Sequence, residues 1–172
     1  MLAACAHGSI SKENRCRRRS RKTVRIASSP VYLDASALAK VYIPEPESSV
    51  LGSVLAGRRD LIVSDLAVTE VASAMMRRVR DRQLRRGEMA EAYRTLAGHV
   101  ADRRFLRAEL TANAHREAER LLMTLGERVP LRAADGLHLA LAALASARML
   151  VTFDRRMAAA AAAVGTFDLI ET

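Results

Sequence analysis

Residues 31–42 read VYLDASALAKVY. Val31–Leu33 has the apolar, β-branched and aromatic character of a short strand, Asp34 closes it, and Ser36–Tyr42 reads as a helix until Pro44 and Pro46 break it. The same step from strand to helix recurs along the chain. Leu61–Val63 passes through Ser64 or Asp65 into a helix that runs to Arg82, Phe105–Leu110 passes through Thr111 into a helix ending at Leu125, and Met149–Thr152 leads into a helix over 155–164. Further helices are predicted over 47–56 ahead of Gly57, over 88–102 beyond a break at Gly87, and over 133–147 after Pro130; residues 167–170 make a last strand. Strands alternating with helices predict an α/β fold, a three-layer α/β/α sandwich around a central, mainly parallel sheet. The six consecutive alanines 158–163 suit a tightly packed helix better than a low-complexity segment.

A chain of 172 residues fits one domain, at roughly 100 to 200 residues per domain, and 50% apolar residues suffice for a core. The formal charge of +9 points to nucleic acid or an anionic surface. Its distribution weakens that reading: +7 lies in residues 1–30 and only +2 in residues 31–172. The tail clusters Arg with Ser and has no apolar period, so it is expected to be disordered; an organellar transit segment or a weak nucleic-acid binder could look alike, but upstream sequence read in from an early start codon is the preferred reading, with the folded body beginning at Val31. Its opening MLAACAH is too short for a signal-peptide core, and the cations follow it instead of preceding it. Both cysteines, Cys5 and Cys16, lie in the tail, so the body has no disulfide, thiolate nucleophile or Cys-based zinc site. The longest apolar or small-residue runs, 139–147 and 157–165, fall short of the span of about 18 residues that a bilayer requires. A soluble cytoplasmic protein is expected, with no membrane partner.

In open α/β sheets ligands bind beyond the carboxyl ends of the strands. Asp34 and Asp154 stand there, each able to serve as a helix N-cap. Two further acids are less easily explained as surface charges. Glu70 sits inside a helix with Leu66, Ala67, Ser73 and Ala74 as its neighbours three and four positions away. Asp135 is the only acid in AADGLHLALAALA, a run apolar nearly all round. A carboxylate there costs several kcal/mol unless paired or bound to a cation, and Arg132 is one possible partner. Ser36 and Thr152 offer hydroxyls at the same strand ends, whereas His138 is better read as a hydrogen-bonded core histidine than as a metal ligand. Asp65 is placed as a helix cap outside the site, and Glu45 and Glu47, beside prolines, as solvated loop charges. Clustered carboxylates repel one another and make sense with hard divalent cations, Mg²⁺ or Mn²⁺ before zinc. Such ions activate water and neutralise charge on a phosphoryl group, which suggests metal-dependent phosphodiester hydrolysis.

With VYLDASALAKVYIPEPES, LIVSDLAVTEVASAM and LRAADGLHLALAALASARMLVTFDRRM in this order, residues 31–172 resemble the PIN-domain ribonucleases, most closely the VapC-type toxins of toxin–antitoxin systems. The resemblance implies a PIN-like fold and a catalytic quartet of Asp34, Glu70, Asp135 and Asp154, with Asp34 and Asp135 as magnesium ligands and Ser36 and Thr152 in support. It also implies an RNA substrate such as tRNA or ribosomal RNA, a small antitoxin over the pocket, and a homodimer. The basic tail is no feature of that family, and Gly136 stands where alanine is usual, at a helix cost of ~1 kcal/mol.

The densest basic stretch of the body, RRVRDRQLRR, supplies Arg77, Arg78, Arg80, Arg82, Arg85 and Arg86 as candidate RNA-phosphate contacts, or as a solvated helix end. Six aromatics and no Trp leave little scope for base stacking. Two other readings stay open: a nuclease of this fold in RNA maturation without a toxin role, and a catalytically inactive module that binds RNA or antitoxin.

Overall fold

The computed structural model describes residues 29–170; the predicted tail therefore lies outside the described residues, except for Ser29 and Pro30. The strands are β1 (Val31–Leu33), β2 (Leu61–Ser64), β3 (Leu106–Ala108), β4 (Met149–Val151) and β5 (Asp168–Ile170). The helices are α1 (Ala35–Tyr42), α2 (Ser48–Leu55), α3 (Asp65–Arg80), α4 (Arg86–Ala101), α5 (Ala112–Leu125), α6 (Ala133–Leu144) and α7 (Arg155–Val164). All strands pair in parallel, in the order β3-β2-β1-β4-β5.

Alternation along the strands divides the interior in two. Val31, Leu33, Leu61, Val63 and Val151 face α1–α4, where Leu38, Leu51, Val71, Met75 and Leu96 are buried. Tyr32, Ile62 and Leu150 face α5–α7, against Ala118, Leu139 and Met157. The inner strands β1, β2 and β4 bury both faces, as a parallel sheet requires, while the edge strands β3 and β5 stay partly exposed, and the expected three-layer α/β/α sandwich is what forms. Fully burying a Leu or Met of this set contributes about 1.5–3 kcal/mol. The alanine run has its expected use, because Ala160 and Ala161 are completely buried and let α7 approach the sheet. Gly165 ends that helix in the left-handed conformation, φ 72°.

The strand order places the site. From β1 the chain moves outward to β2 and β3, then crosses back to lay β4 on the other side of β1. The direction of winding thus reverses between β1 and β4, and the crevice beyond their carboxyl ends is where such sheets bind ligands. Leu33 is in register with Val151, so Asp34 and Thr152 emerge side by side.

Two expectations about boundaries are corrected. Gly87 lies in the first turn of α4 and does not separate helices. Ser64, not Asp65, caps α3: its hydroxyl accepts from the Ala67 N–H at 3.0 Å, while Asp65 opens the helix and pairs with Arg107 Nε at 2.7 Å. Gly136 has a packing reason. A Cβ there would lie 3.1 Å from Leu122 Cγ and 3.5 Å from the Ala118 carbonyl, so its absence lets α6 settle on α5. Gly136→Val is expected to cost about 1–2 kcal/mol through overpacking, read as a lower urea midpoint.

Candidate active site

Four elements deliver one carboxylate each to a single cleft of about 550 Å³: Asp34 after β1, Glu70 from α3, Asp135 from α6 and Asp154 after β4. Asp34 and Asp135 are only 4% and 8% exposed. Lys40, Arg77, Arg78, Arg132 and Arg156 line the same cleft.

Asp34 caps α1 and is the most fully bonded of the four acids. Its Oδ1 accepts from Ser36 Oγ at 2.7 Å and from the Ala37 N–H at 2.8 Å, and its Oδ2 accepts from Thr152 Oγ1 at 2.6 Å. Both hydroxyls are themselves oriented from β4's end, since Ser36 Oγ accepts from the Phe153 N–H at 2.7 Å and Thr152 Oγ1 from the Asp154 N–H at 3.0 Å. Burial pushes the Asp34 carboxyl above the usual carboxylate range, against the opposing pull of the Thr152, Ala37 and Ser36 bonds. The sequence reading had offered an N-cap and a site acid as alternatives for Asp34; the residue occupies both positions at once.

Asp154 likewise caps α7, accepting from the Arg156 N–H at 2.8 Å. Burial raises its pKa, but the N–H and guanidinium of Arg156 and the N–H of Met157 outweigh it and hold the group below the usual range. Asp135 Oδ2 accepts from the Arg132 backbone N–H at 3.0 Å, so the expected partner contributes its main chain. The nearest guanidinium belongs instead to Arg156, with Nε 4.0 Å from Asp135 Oδ2 and a terminal nitrogen 3.1 Å from Asp154 Oδ2. Arg156 Nε is buried without a hydrogen-bond partner among the described residues. Sequence reasoning missed Arg156; its place two residues after a site aspartate was the available signal.

Glu70 is held from behind. Its Oε2 lies 2.7 Å from His138 Nε2, whose Nδ1 lies 2.8 Å from the Tyr32 hydroxyl, which in turn lies 2.7 Å from Ser64 Oγ. The core, hydrogen-bonded reading of His138 is thus the one realised. Burial drives the Tyr32 phenol well above its usual range, so it stays protonated.

The candidate arginines separate. Arg77 and Arg78 line the cleft, whereas Arg80, Arg82, Arg85 and Arg86 lie beyond it, at the end of α3, in the following turn and at the start of α4. The solvated-loop reading of Glu45 is overturned: its carboxylate accepts from both Lys40 and Arg78 and is only 17% exposed. Lys40 also reaches Glu47 at 2.8 Å and lies 4.6 Å over the Phe153 ring. The two prolines signal a loop, but the partner Arg78 comes from 33 residues away in the chain.

The donor set fits a hard divalent ion, being carboxylate oxygen throughout. Among the described residues no three acidic or imidazole groups converge into a ready-made cage. Mg²⁺ does not demand one, because it keeps several waters and is commonly held by one or two carboxylates together with substrate phosphate. Arg156, set between Asp135 and Asp154, shows that this part of the cleft calls for positive charge. Among the described residues, no helix is long and apolar enough to cross a membrane.

Residues 31–163 match the PIN domain family. The chain is 34% identical over 137 residues to Ribonuclease VapC45 of Mycobacterium tuberculosis (strain CDC 1551 / Oshkosh), covering 78% of this chain and 91% of that protein. It is also 34% identical over 140 residues to Ribonuclease VapC46 of the H37Rv strain, covering 78% and 92%. Among solved structures it resembles the M. tuberculosis toxin VapC20, described as cleaving the sarcin-ricin loop, with a TM-score of 0.60 at 16% identity over 76% of this chain and 94% of that one. FitAcB from Neisseria gonorrhoeae gives a TM-score of 0.57 at 17% identity, over 82% and 96%. Sequence likeness to the named ribonucleases and the shared fold agree with a cleft that gathers carboxylates at the β1/β4 switch point, and the chain belongs to the PIN-domain family, among the VapC-type ribonuclease toxins.

Proposed function

We propose that this chain is a Mg²⁺-dependent endoribonuclease, with Mn²⁺ able to replace Mg²⁺, and the toxin of a type II toxin–antitoxin pair. The observation that carries this reading is that carboxylates and cations share the lining of one cleft. Asp34 and Asp135 would hold the metal, with Asp154 beside them and Ser36 and Thr152 fixing the Asp34 carboxylate. A bound ion would supply Lewis-acid stabilisation of charge on the phosphoryl group and a lowered pKa for a water. Glu70 has one oxygen engaged by His138 and the other without a partner among the described residues, so Oε1 can accept a hydrogen bond from the attacking water. Arg77 and Arg132, which line the cleft, would receive RNA phosphate, and Arg156 would do so on leaving the carboxylates. Contacts of this kind position the RNA and carry little sequence information.

A structured RNA, tRNA or ribosomal RNA, is the favoured target, in line with the resemblance to VapC20, whose description names the sarcin-ricin loop. Similarity to FitAcB and to VapBC2 of Rickettsia felis, a toxin–antitoxin pair described with promoter DNA, supports a small antitoxin partner, and a homodimer accords with the family. The proposed site of action is the cytoplasm. Brief induction followed by sequencing of RNA 5′ ends is expected to reveal new ends at one or a few sites, and the purified protein with Mg²⁺ should reproduce them. New ends absent from both preparations would refute the nuclease reading; cleavage without growth arrest, and with no antitoxin gene alongside, would favour RNA maturation.

A further inference from the structure

The acidic cleft uses Glu70 from one side only, and the groups behind it form a continuous buried chain. Ser64 Oγ, the Tyr32 hydroxyl, His138 and Glu70 Oε2 follow one another at 2.7, 2.8 and 2.7 Å. Ser64, Tyr32 and His138 are all nearly inaccessible, at 1%, 0% and 4% exposure. A carboxylate can only accept, so Nε2 carries the hydrogen shared with Glu70 and Nδ1 faces Tyr32.

The chain closes a ring of elements. Ser64 caps α3, the helix that carries Glu70; Tyr32 lies on β1, two residues before Asp34; His138 lies on α6, one turn after Asp135. One run of hydrogen bonds therefore ties together the three elements that present Asp34, Glu70 and Asp135. We infer that His138 is a positioning residue, which fixes the rotamer of Glu70 and turns its free oxygen into the cleft, with Tyr32 and Ser64 fixing the imidazole in turn. The inference rests on the nuclease reading and extends it to residues that act through Glu70. Supporting groups of this kind typically change activity or metal affinity by about 10–100-fold when removed.

The test compares wild type, His138→Leu, His138→Gln and Tyr32→Phe on a synthetic RNA oligonucleotide spanning the mapped cut site, with kcat and KM measured separately. Leucine removes the donor to Glu70, and kcat is expected to fall about tenfold or more with KM within twofold. Glutamine returns an N–H₂ donor in that direction and should restore kcat to within about threefold of wild type, a rescue that packing alone does not produce. Tyr32→Phe removes one oxygen from the far end of the chain and should lower kcat with KM kept, which decides the matter should the leucine variant fold poorly. Wild-type cleavage matched within twofold by both His138→Leu and Tyr32→Phe overturns the inference and leaves the nuclease reading standing. A wild type that cuts no RNA ends both.

Discussion

Asp135→Asn is expected to lower Mg²⁺-dependent RNA cleavage at least a hundredfold while leaving the protein folded, and EDTA is expected to abolish wild-type cleavage altogether. Losing a carboxylate proposed as a direct metal ligand should exceed the 10–100-fold typical of groups one layer out. Asp135 is the cleanest site for this measurement because of its bonding. Its Oδ2 accepts one backbone N–H from Arg132, which an asparagine carbonyl can also accept, and its burial means that removing the charge relieves a desolvation cost. Asp34→Asn is less clean: both Asp34 oxygens already accept from Ser36, Ala37 and Thr152, so an amide NH₂ placed at either position meets a donor. A fall in activity there mixes lost charge with disturbed structure. Cleavage by Asp135→Asn within threefold of wild type, with a matching thermal transition, would refute the assignment, as would wild-type cleavage that EDTA leaves intact.

How much of this was readable in the sequence depends on the range of the interaction concerned. The strand-to-helix steps at Asp34 and Asp154 were legible because each is local: an apolar run, an acid, then helix formers. Once the strand order puts β4 beside β1, two such local signals become neighbours. Asp135 was legible for the opposite reason, as an acid in surroundings where an unpaired charge is costly, and Glu70 by the small, apolar neighbours on its helix face where a surface glutamate would have charged ones. Gly87 misled because glycine usually interrupts a helix, yet in the first turn of α4 its N–H needs no intrahelical partner and its penalty is small. His138 could be identified as buried and bonded, but not as bonded to Glu70, since that partner is 68 residues away in sequence. Arg156 was overlooked because an arginine at the start of a helix reads as surface charge; only its position between Asp135 and Asp154 gives it a role.

Glu45 was the plainest misreading, and its bonding leads to the second large effect: Glu45→Gln should lower the unfolding free energy at neutral pH by about 2 kcal/mol. The carboxylate takes hydrogen bonds from Lys40 and Arg78, and the Lys40 side chain is only 11% exposed. Removing one member of a fully buried pair costs about 3–5 kcal/mol, and exposed pairs are worth about 1 or less. The intermediate figure follows from partial exposure and from Glu47, which remains at 2.8 Å from Lys40. Burial alone would raise the Glu45 pKa, but the bonds and charges of Lys40 and Arg78 hold it below the ordinary glutamate range. A folded-state pKa below the unfolded one gives stability that is complete above the unfolded value and lost as pH falls through the folded value. Lys40 has the opposite sign: burial lowers its pKa, Glu45 and Glu47 more than restore it, and its contribution disappears only as pH rises through its own elevated pKa. The gap between wild type and Glu45→Gln in urea midpoint should therefore be widest near neutrality and close on acidification below the glutamate range. A gap unchanged in acid would mean that Glu45 acts through packing and not through its charge. The same substitution releases Arg78 at the rim of the cleft. RNA affinity should then rise even as stability falls, because a guanidinium no longer committed to a carboxylate is free for phosphate.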